Sequence, residues 1–287
     1  MSPIWHPTFD LGDPFQVALS GRGTTTVWDS GDVADSTNVP VLLLHGWNID
    51  APTNYGYAVP HLSSTRRVIM FDQLGHGRGP RHDVPFTLDD AADDAISVLD
   101  ALGVEQAIIV GYSLGGAVAQ TLCHNHPTRC VGLVLSATSA RFAETRRERA
   151  EFAALKQSAR LLRLTPSAAR ARIFDAILAV TTRKYPGWIA DVVRKGDPIS
   201  LLEAGAALGA FDSTHWTELA ELPTAFVVTT EDTVVPAHRQ VQLATNLDVD
   251  DMHNVTVGHE APILNHDAFN AALTEAVDAV TGLQPAR

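Results

Sequence analysis

The sequence predicts an α/β protein: a mostly parallel sheet of about eight strands flanked by helices, with a helical segment inserted after the sixth strand. Short apolar runs recur along the 287 residues with helix-period stretches between them, the pattern left by strands joined through crossover helices. The alternation stops at Ala137 and resumes near Pro223, and the stretch between is helical in character. An apolar content of 45% over this length suffices for one large core, or for a core with an insertion.

Phe15 to Leu19 and Thr24 to Trp28 read as an antiparallel pair turning at Gly21-Arg22-Gly23. Val41 to Leu44, Val68 to Phe71, Ala107 to Val110, Val131 to Leu135, Ala225 to Val228 and Asn254 to Val257 follow as strands. The later runs are apolar on consecutive positions, as strands buried on both faces must be. Thr87 and Asp90 make a capping-box-like start to a helix whose apolar face is Leu88, Ala92, Ile96, Leu99 and Leu102, closed by Gly103. Asp267 to Val280 reads as a C-terminal helix. Inside the insertion, Phe152, Leu155, Ala159 and Leu162 repeat at helix spacing. Thr165-Pro166 restarts a helix with Ala169, Ile173, Ile177 and Val180 on one face, and Asp197-Pro198 starts another. The expected division is a core of residues 1–136 and 218–287 and a helical cap of residues 137–217. Right-handed crossovers then gather the carboxyl ends of the strands along one sheet edge.

Composition narrows the function classes. A net charge of −12 opposes nucleic-acid binding, which calls for a basic face. No apolar run approaches the roughly 20 residues needed to cross a bilayer. Met1 to Pro7 lack a basic start and an apolar stretch, so no secretory signal is expected and the protein is expected in the cytoplasm. The two cysteines, Cys123 and Cys130, are too few for a disulfide framework and read as buried thiols. Charge is uneven: residues 137–217 hold 13 of the 21 Lys and Arg but 8 of the 33 Asp and Glu. A solvated outer face accounts for this excess, and steering of anionic substrates or contact with an anionic membrane is the sharper reading. Oligomeric state leaves no mark in the sequence.

The chemistry centres on Ser113, in Gly111-Tyr112-Ser113-Leu114-Gly115, between an apolar strand and a helix-like stretch. A serine on such a tight strand-to-helix turn projects its hydroxyl clear of the sheet, and small residues two positions either side avoid a clash. Serine needs a general base, and the base needs an acid to fix its tautomer. His259 follows the last strand, and Asp232 follows the strand ending near Thr230. The order Ser, Asp, His is that of one known arrangement of such triads. His266 and Glu231 are the nearest rivals, and the position after the sixth strand, Ser136-Ala137-Thr138-Ser139, offers no carboxylate. Oxyanion donors are expected from the backbone N–H groups of Leu114 and of Trp47, in His45-Gly46-Trp47. No metal site is expected: His124 and His126 point to different helix faces, and HExxH is absent. The glycines of Asp72 to Arg78 suit tight turns, since the order of a phosphate loop is missing.

These motifs together resemble the α/β-hydrolase fold family, in its cap-bearing esterase, lipase and carbon–carbon hydrolase branch. The resemblance rests on Leu42 to Trp47, Asp72 to Arg78, Gly111 to Gly116, Glu231 to Pro236 and Gly258-His259. It implies a cofactor-free enzyme acting on a small-molecule acyl substrate, with Ser113 as nucleophile, Asp232 as acid and His259 as base. Ester hydrolysis leads. Carbon–carbon or thioester hydrolysis, or acyl transfer, would use the same triad, and a ligand-binding member of the fold that barely turns over is the reading from another class. Haloalkane dehalogenases and epoxide hydrolases of the family carry aspartate at the elbow, so Ser113 disfavours both. The chain departs from the family at Thr229-Thr230, where a glycine is common before the acid, and at Leu264, where a glutamate often stands.

Overall fold

The computed structural model describes residues 12–34, 38–81, 84–183 and 187–282. The Met1 to Pro7 reading therefore lies outside the described residues. Eight strands form one sheet in the order β1-β2-β4-β3-β5-β6-β7-β8. These are β1 (Phe15–Leu19), β2 (Gly23–Asp29), β3 (Val41–Leu44), β4 (Val68–Phe71), β5 (Ala107–Tyr112), β6 (Cys130–Ser136), β7 (Thr224–Thr229) and β8 (Met252–Val255). β1 and β2 are an antiparallel edge, β2 pairs antiparallel with β4, and every other pairing is parallel.

Alternation along the central strands divides the core between the two sheet faces. Leu42, Leu44, Ile109, Leu133 and Leu135 face α3 (Leu88–Ala101) and α4 (Leu114–Asn125). Val41, Leu43, Ile108, Val110 and Val134 face α1 (Ala51–Tyr55), α2 (Val59–Leu62) and α11 (His266–Gly282). Both faces are covered, which is why these strands are apolar throughout. The expected cap on α3 is present, with the Thr87 hydroxyl accepting the Asp90 N–H at 3.0 Å.

Between β6 and β7 the described residues form four α-helices, α5 (Arg146–Arg163), α6 (Ser167–Thr181), α7 (Gly187–Arg194) and α8 (Pro198–Ala210), followed by a short 3-10 helix at Thr217–Glu221. α5 uses the expected face: Ala159 and Leu162 are buried, and Phe152 lies against Gly209. On α6 the expected face is displaced by one position. Phe174 and Leu178 pack against α7, while Ile173 and Ile177 are 40% and 47% exposed. Several of the insertion's cations are matched by carboxylates, Arg141 with Asp212, Arg147 with Glu151, Arg163 with Glu203 and Arg194 with Asp175. No helix among the described residues is long and apolar enough to cross a membrane.

β8 is the other correction, ending at Val255 instead of Val257. The Val255 carbonyl accepts the N–H groups of both Thr230 and Val257, each at 2.9 Å. That tight turn breaks the regular ladder after Val255, although the Val257 carbonyl still accepts the Glu231 N–H at 3.0 Å. Val257 stays buried at 4%, so apolarity could not distinguish turn from strand. α9 (Ala237–Asn246) and α10 (Ala261–Leu264) complete the fold.

Candidate active site

Strand order places the site. β3 lies between β4 and β5, so the connections leaving β3 and β5 diverge and open a crevice at their carboxyl ends. Ser113 stands there between β5 and α4 with φ +55° and ψ −113°, a sparsely populated conformation costing on the order of 1–3 kcal/mol. Neighbouring bonds hold it: its N–H donates to the Ser136 carbonyl at 2.9 Å, and its carbonyl accepts the Thr138 hydroxyl at 3.0 Å. A Cβ at Gly115 would collide with the Leu44 carbonyl, and one at Gly111 with the Gly115 carbonyl. The spacing of small residues follows from these collisions.

His259 Nε2 lies 3.1 Å from the Ser113 hydroxyl, and its Nδ1 lies 2.7 Å from Asp232 Oδ2. The Asp232 side chain is fully buried and that of His259 is 19% exposed. Asp232 Oδ1 accepts the N–H groups of Val234 and Val235 at 2.8 and 2.9 Å, and Oδ2 also accepts the Thr229 hydroxyl at 2.9 Å. Gln240, itself buried, donates to Thr229 Oγ1 at 2.9 Å and to the Val235 carbonyl at 2.7 Å. Thr229, the departure from the family's glycine, thus serves the carboxylate directly. Glu231 is exposed. His266 opens α11 and stacks on Tyr57, with ring centroids 4.0 Å apart.

The Tyr112 hydroxyl donates to the His259 carbonyl at 2.5 Å, which ties the elbow to the imidazole's own backbone. Its burial beside Asp232 raises the phenol well above its ordinary range, so it remains a donor. The sequence named none of Tyr112, Gln240 and Thr229 as site residues, since their bonds join residues 3, 11 and 147 positions apart.

The loop after β3 is held from within the core. The Gly46 N–H donates to Asn54 Oδ1 at 2.8 Å, Gln73 Nε2 donates to the His45 carbonyl at 2.7 Å, and the Gln73 N–H donates to His45 Nε2 at 3.0 Å. With Nε2 accepting, the His45 proton sits on Nδ1 and goes to the Gly46 carbonyl at 2.8 Å. Gly46 comes close to Ser113: a Cβ built on it would lie 3.5 Å from the Ser113 Cβ. Among the described residues, neither the Trp47 nor the Leu114 N–H has a recorded protein acceptor, and the first N–H groups of a helix have none within it.

This buried polar cluster sets an acid limit on stability. Burial lowers His45 to about 4, and burial with the neighbouring His45 lowers His76 to about 3. Burial with the charge of Asp50 raises Asp72 to about 7. Each histidine contributes stability that is fully present above its unfolded value near 6.5 and is lost as pH falls toward its folded value. Asp72 acts oppositely, favouring the fold below its unfolded value and losing that contribution as pH rises toward 7. Between about pH 4 and 6.5 two histidines outweigh one carboxyl, a net proton worth about 1.4 kcal/mol per pH unit. Unfolding free energy measured by urea titration should therefore fall on acidification through that window. His76→Asn should reduce the slope by about one proton, and an unchanged slope would contradict the assignment.

The family model described as the alpha/beta hydrolase fold matches residues 39–265. Pimeloyl-[acyl-carrier protein] methyl ester esterase from Neisseria meningitidis serogroup C is 30% identical over 247 residues, covering 84% of this chain and 94% of that protein. 2-Hydroxymuconate semialdehyde hydrolase from Pseudomonas sp. strain CF600 is 40% identical over 114 residues, 39% of this chain, and the match spans 38% of that relative's length. Among solved structures, a hydrolase from Pseudomonas aeruginosa PA01 superposes with a TM-score of 0.73 at 23% identity, covering 94% of this chain and 100% of that one; this likeness is one of fold. With the family model matching most of its length, the chain belongs to the α/β-hydrolase family and is an enzyme of the hydrolase class.

Proposed function

We propose that this protein hydrolyses a carboxylic ester with a small or medium apolar acyl group, using Ser113, His259 and Asp232 as a triad and passing through an acyl-enzyme. The supporting observation is the unbroken hydrogen-bond line from Asp232 Oδ2 to His259 Nδ1 at 2.7 Å and from His259 Nε2 to Ser113 Oγ at 3.1 Å. The buried carboxylate fixes the imidazole with its proton on Nδ1, so Nε2 is free to accept the serine proton. Ser113 Oγ then bonds to the ester carbon, and the carbonyl oxygen takes up negative charge facing the N–H groups of Trp47 and Leu114. The tetrahedral intermediate collapses as the bond to the alkoxy oxygen breaks and His259 returns its proton to the leaving alcohol. Water, deprotonated by the same imidazole, hydrolyses the acyl-enzyme. Residues 137–217 serve as a cap that shapes the acyl pocket over a core of residues 1–136 and 218–287, and no metal or cofactor takes part.

The relative matched across nearly its whole length is named a methyl ester esterase, which favours the ester. A second reading, the same triad acting on another acyl bond, is favoured by the relative whose name carries a semialdehyde. Stopped-flow hydrolysis of p-nitrophenyl butyrate should show a p-nitrophenol burst of one per active site, with the acyl group found on Ser113 by mass spectrometry. Labelling by a fluorophosphonate at another residue, with Ser113 unmodified, would refute the triad. A burst with kcat/KM highest for vinylogous diketones would move the assignment to the second reading.

A further inference from the structure

Trp47 is joined to the cap as well as to the site. Its indole Nε1–H donates to the Leu201 carbonyl of α8 at 2.7 Å. One turn along, a Cβ on Gly205 would lie 2.5 Å from Trp47 Cζ2, 2.8 Å from Cη2 and 2.7 Å from Leu155 Cδ1 of α5. The edge of the indole therefore rests directly on the α8 backbone, in a notch that exists because residue 205 has no side chain. The residues before Trp47 are fastened inside the core through Asn54 and Gln73, and Asn48 after it takes a left-handed φ of +64°. α8 itself is fixed at both ends. The Asp197 N–H at its start donates to the Gly75 carbonyl at 2.7 Å, and just past its end the Ser213 hydroxyl donates to Gln120 of α4 at 2.6 Å.

We infer that α8 aims the Trp47 backbone N–H: the notch at Gly205 and the bond to Leu201 make Gly205 and the Trp47 indole positioning elements for the oxyanion donor. This rests on the triad reading above. Because the Trp47 indole N–H, the one donor of its side chain, bonds to the cap, seating of the cap and assembly of the oxyanion hole become one event. A shift of the donor costs transition-state stabilisation while leaving ground-state binding largely intact.

Two variants test the coupling. Gly205→Ala inserts a methyl group against the indole, and Trp47→Phe keeps the backbone N–H but removes the bond to Leu201. Each should lower kcat for p-nitrophenyl butyrate by about 10- to 100-fold, below the loss from deleting a donor outright, with KM within about twofold. A trifluoromethyl ketone of the same acyl chain, which forms the oxyanion, should bind more weakly by the same factor as kcat, whereas butyrate should bind as in the wild type. In the double variant the smaller ring relieves the collision with residue 47, leaving the one with Leu155, so the losses should fall short of multiplying. The coupling is overturned if both variants keep kcat and ketone affinity within twofold. Equal weakening of butyrate and ketone would also overturn it, by reducing the contact to pocket packing. A wild type lacking both burst and Ser113 labelling would instead sink the triad reading, which separates the two failures.

Discussion

Ser113→Ala is expected to lower kcat for a p-nitrophenyl ester by about 10⁶-fold, the scale on which removal of a triad serine acts elsewhere. The hydroxyl's recorded hydrogen-bond partner is His259 Nε2 at 3.1 Å, and the backbone bonds that hold the elbow do not involve it. Alanine also keeps the Cβ that Ser113 already carries at φ +55°, so no new backbone strain enters. Stability should therefore stay within about 0.5 kcal/mol of the wild type. His259→Ala should lose a similar factor, and the double variant should lose little more, because in the proposed triad the two groups perform one proton transfer. Single-turnover rates above background decide the matter. A Ser113→Ala protein retaining more than a few per cent of kcat would remove Ser113 from the chemistry.

What the sequence disclosed and what it withheld divide along a physical line. The run from Ala107 to Leu122 was legible because strand, elbow and helix are contiguous, and each obeys a local rule of period or backbone space. That Asp232 and His259 come together beside Ser113 was legible through their positions just past strands, since parallel α/β connections place such loops on one edge. α1, α2 and α10 were not, because helices of 5, 4 and 4 residues are too short to show a period. α7 and α9 went unread as well, at 8 and 10 residues. The buried face of α6 was misjudged by one position because Phe174 and Ile173 are equally apolar, and only the packing of α7 chooses between them. β8 was placed two residues late because a turn formed by the Val255 carbonyl leaves no compositional trace. The network behind the acid was hidden for the same reason. Thr229, Gln240 and Tyr112 have ordinary side chains whose partners are set by tertiary contact.

Asp232→Asn is the second large effect, expected near 10⁴-fold in kcat, as when a triad aspartate is replaced by its amide. The substitution keeps shape and removes charge. Oδ1 of the amide can still accept the N–H groups of Val234 and Val235, and this fixes which end of the side chain faces His259. The NH₂ then stands where Oδ2 accepted both the Thr229 hydroxyl and the imidazole proton. A donor facing Nδ1 forces the imidazole proton to Nε2, and an Nε2 that bears a proton cannot take one from Ser113. The loss is therefore in kcat, with substrate binding preserved, and the variant should still fold at a cost of about 1–3 kcal/mol for the disturbed buried bonds. Glu231→Gln supplies the comparison, because Glu231 is adjacent in sequence yet exposed, and it should retain wild-type kcat. If Asp232→Asn stayed within tenfold of the wild type, or if Glu231→Gln matched its loss, the carboxylate that orients His259 would have to be sought elsewhere.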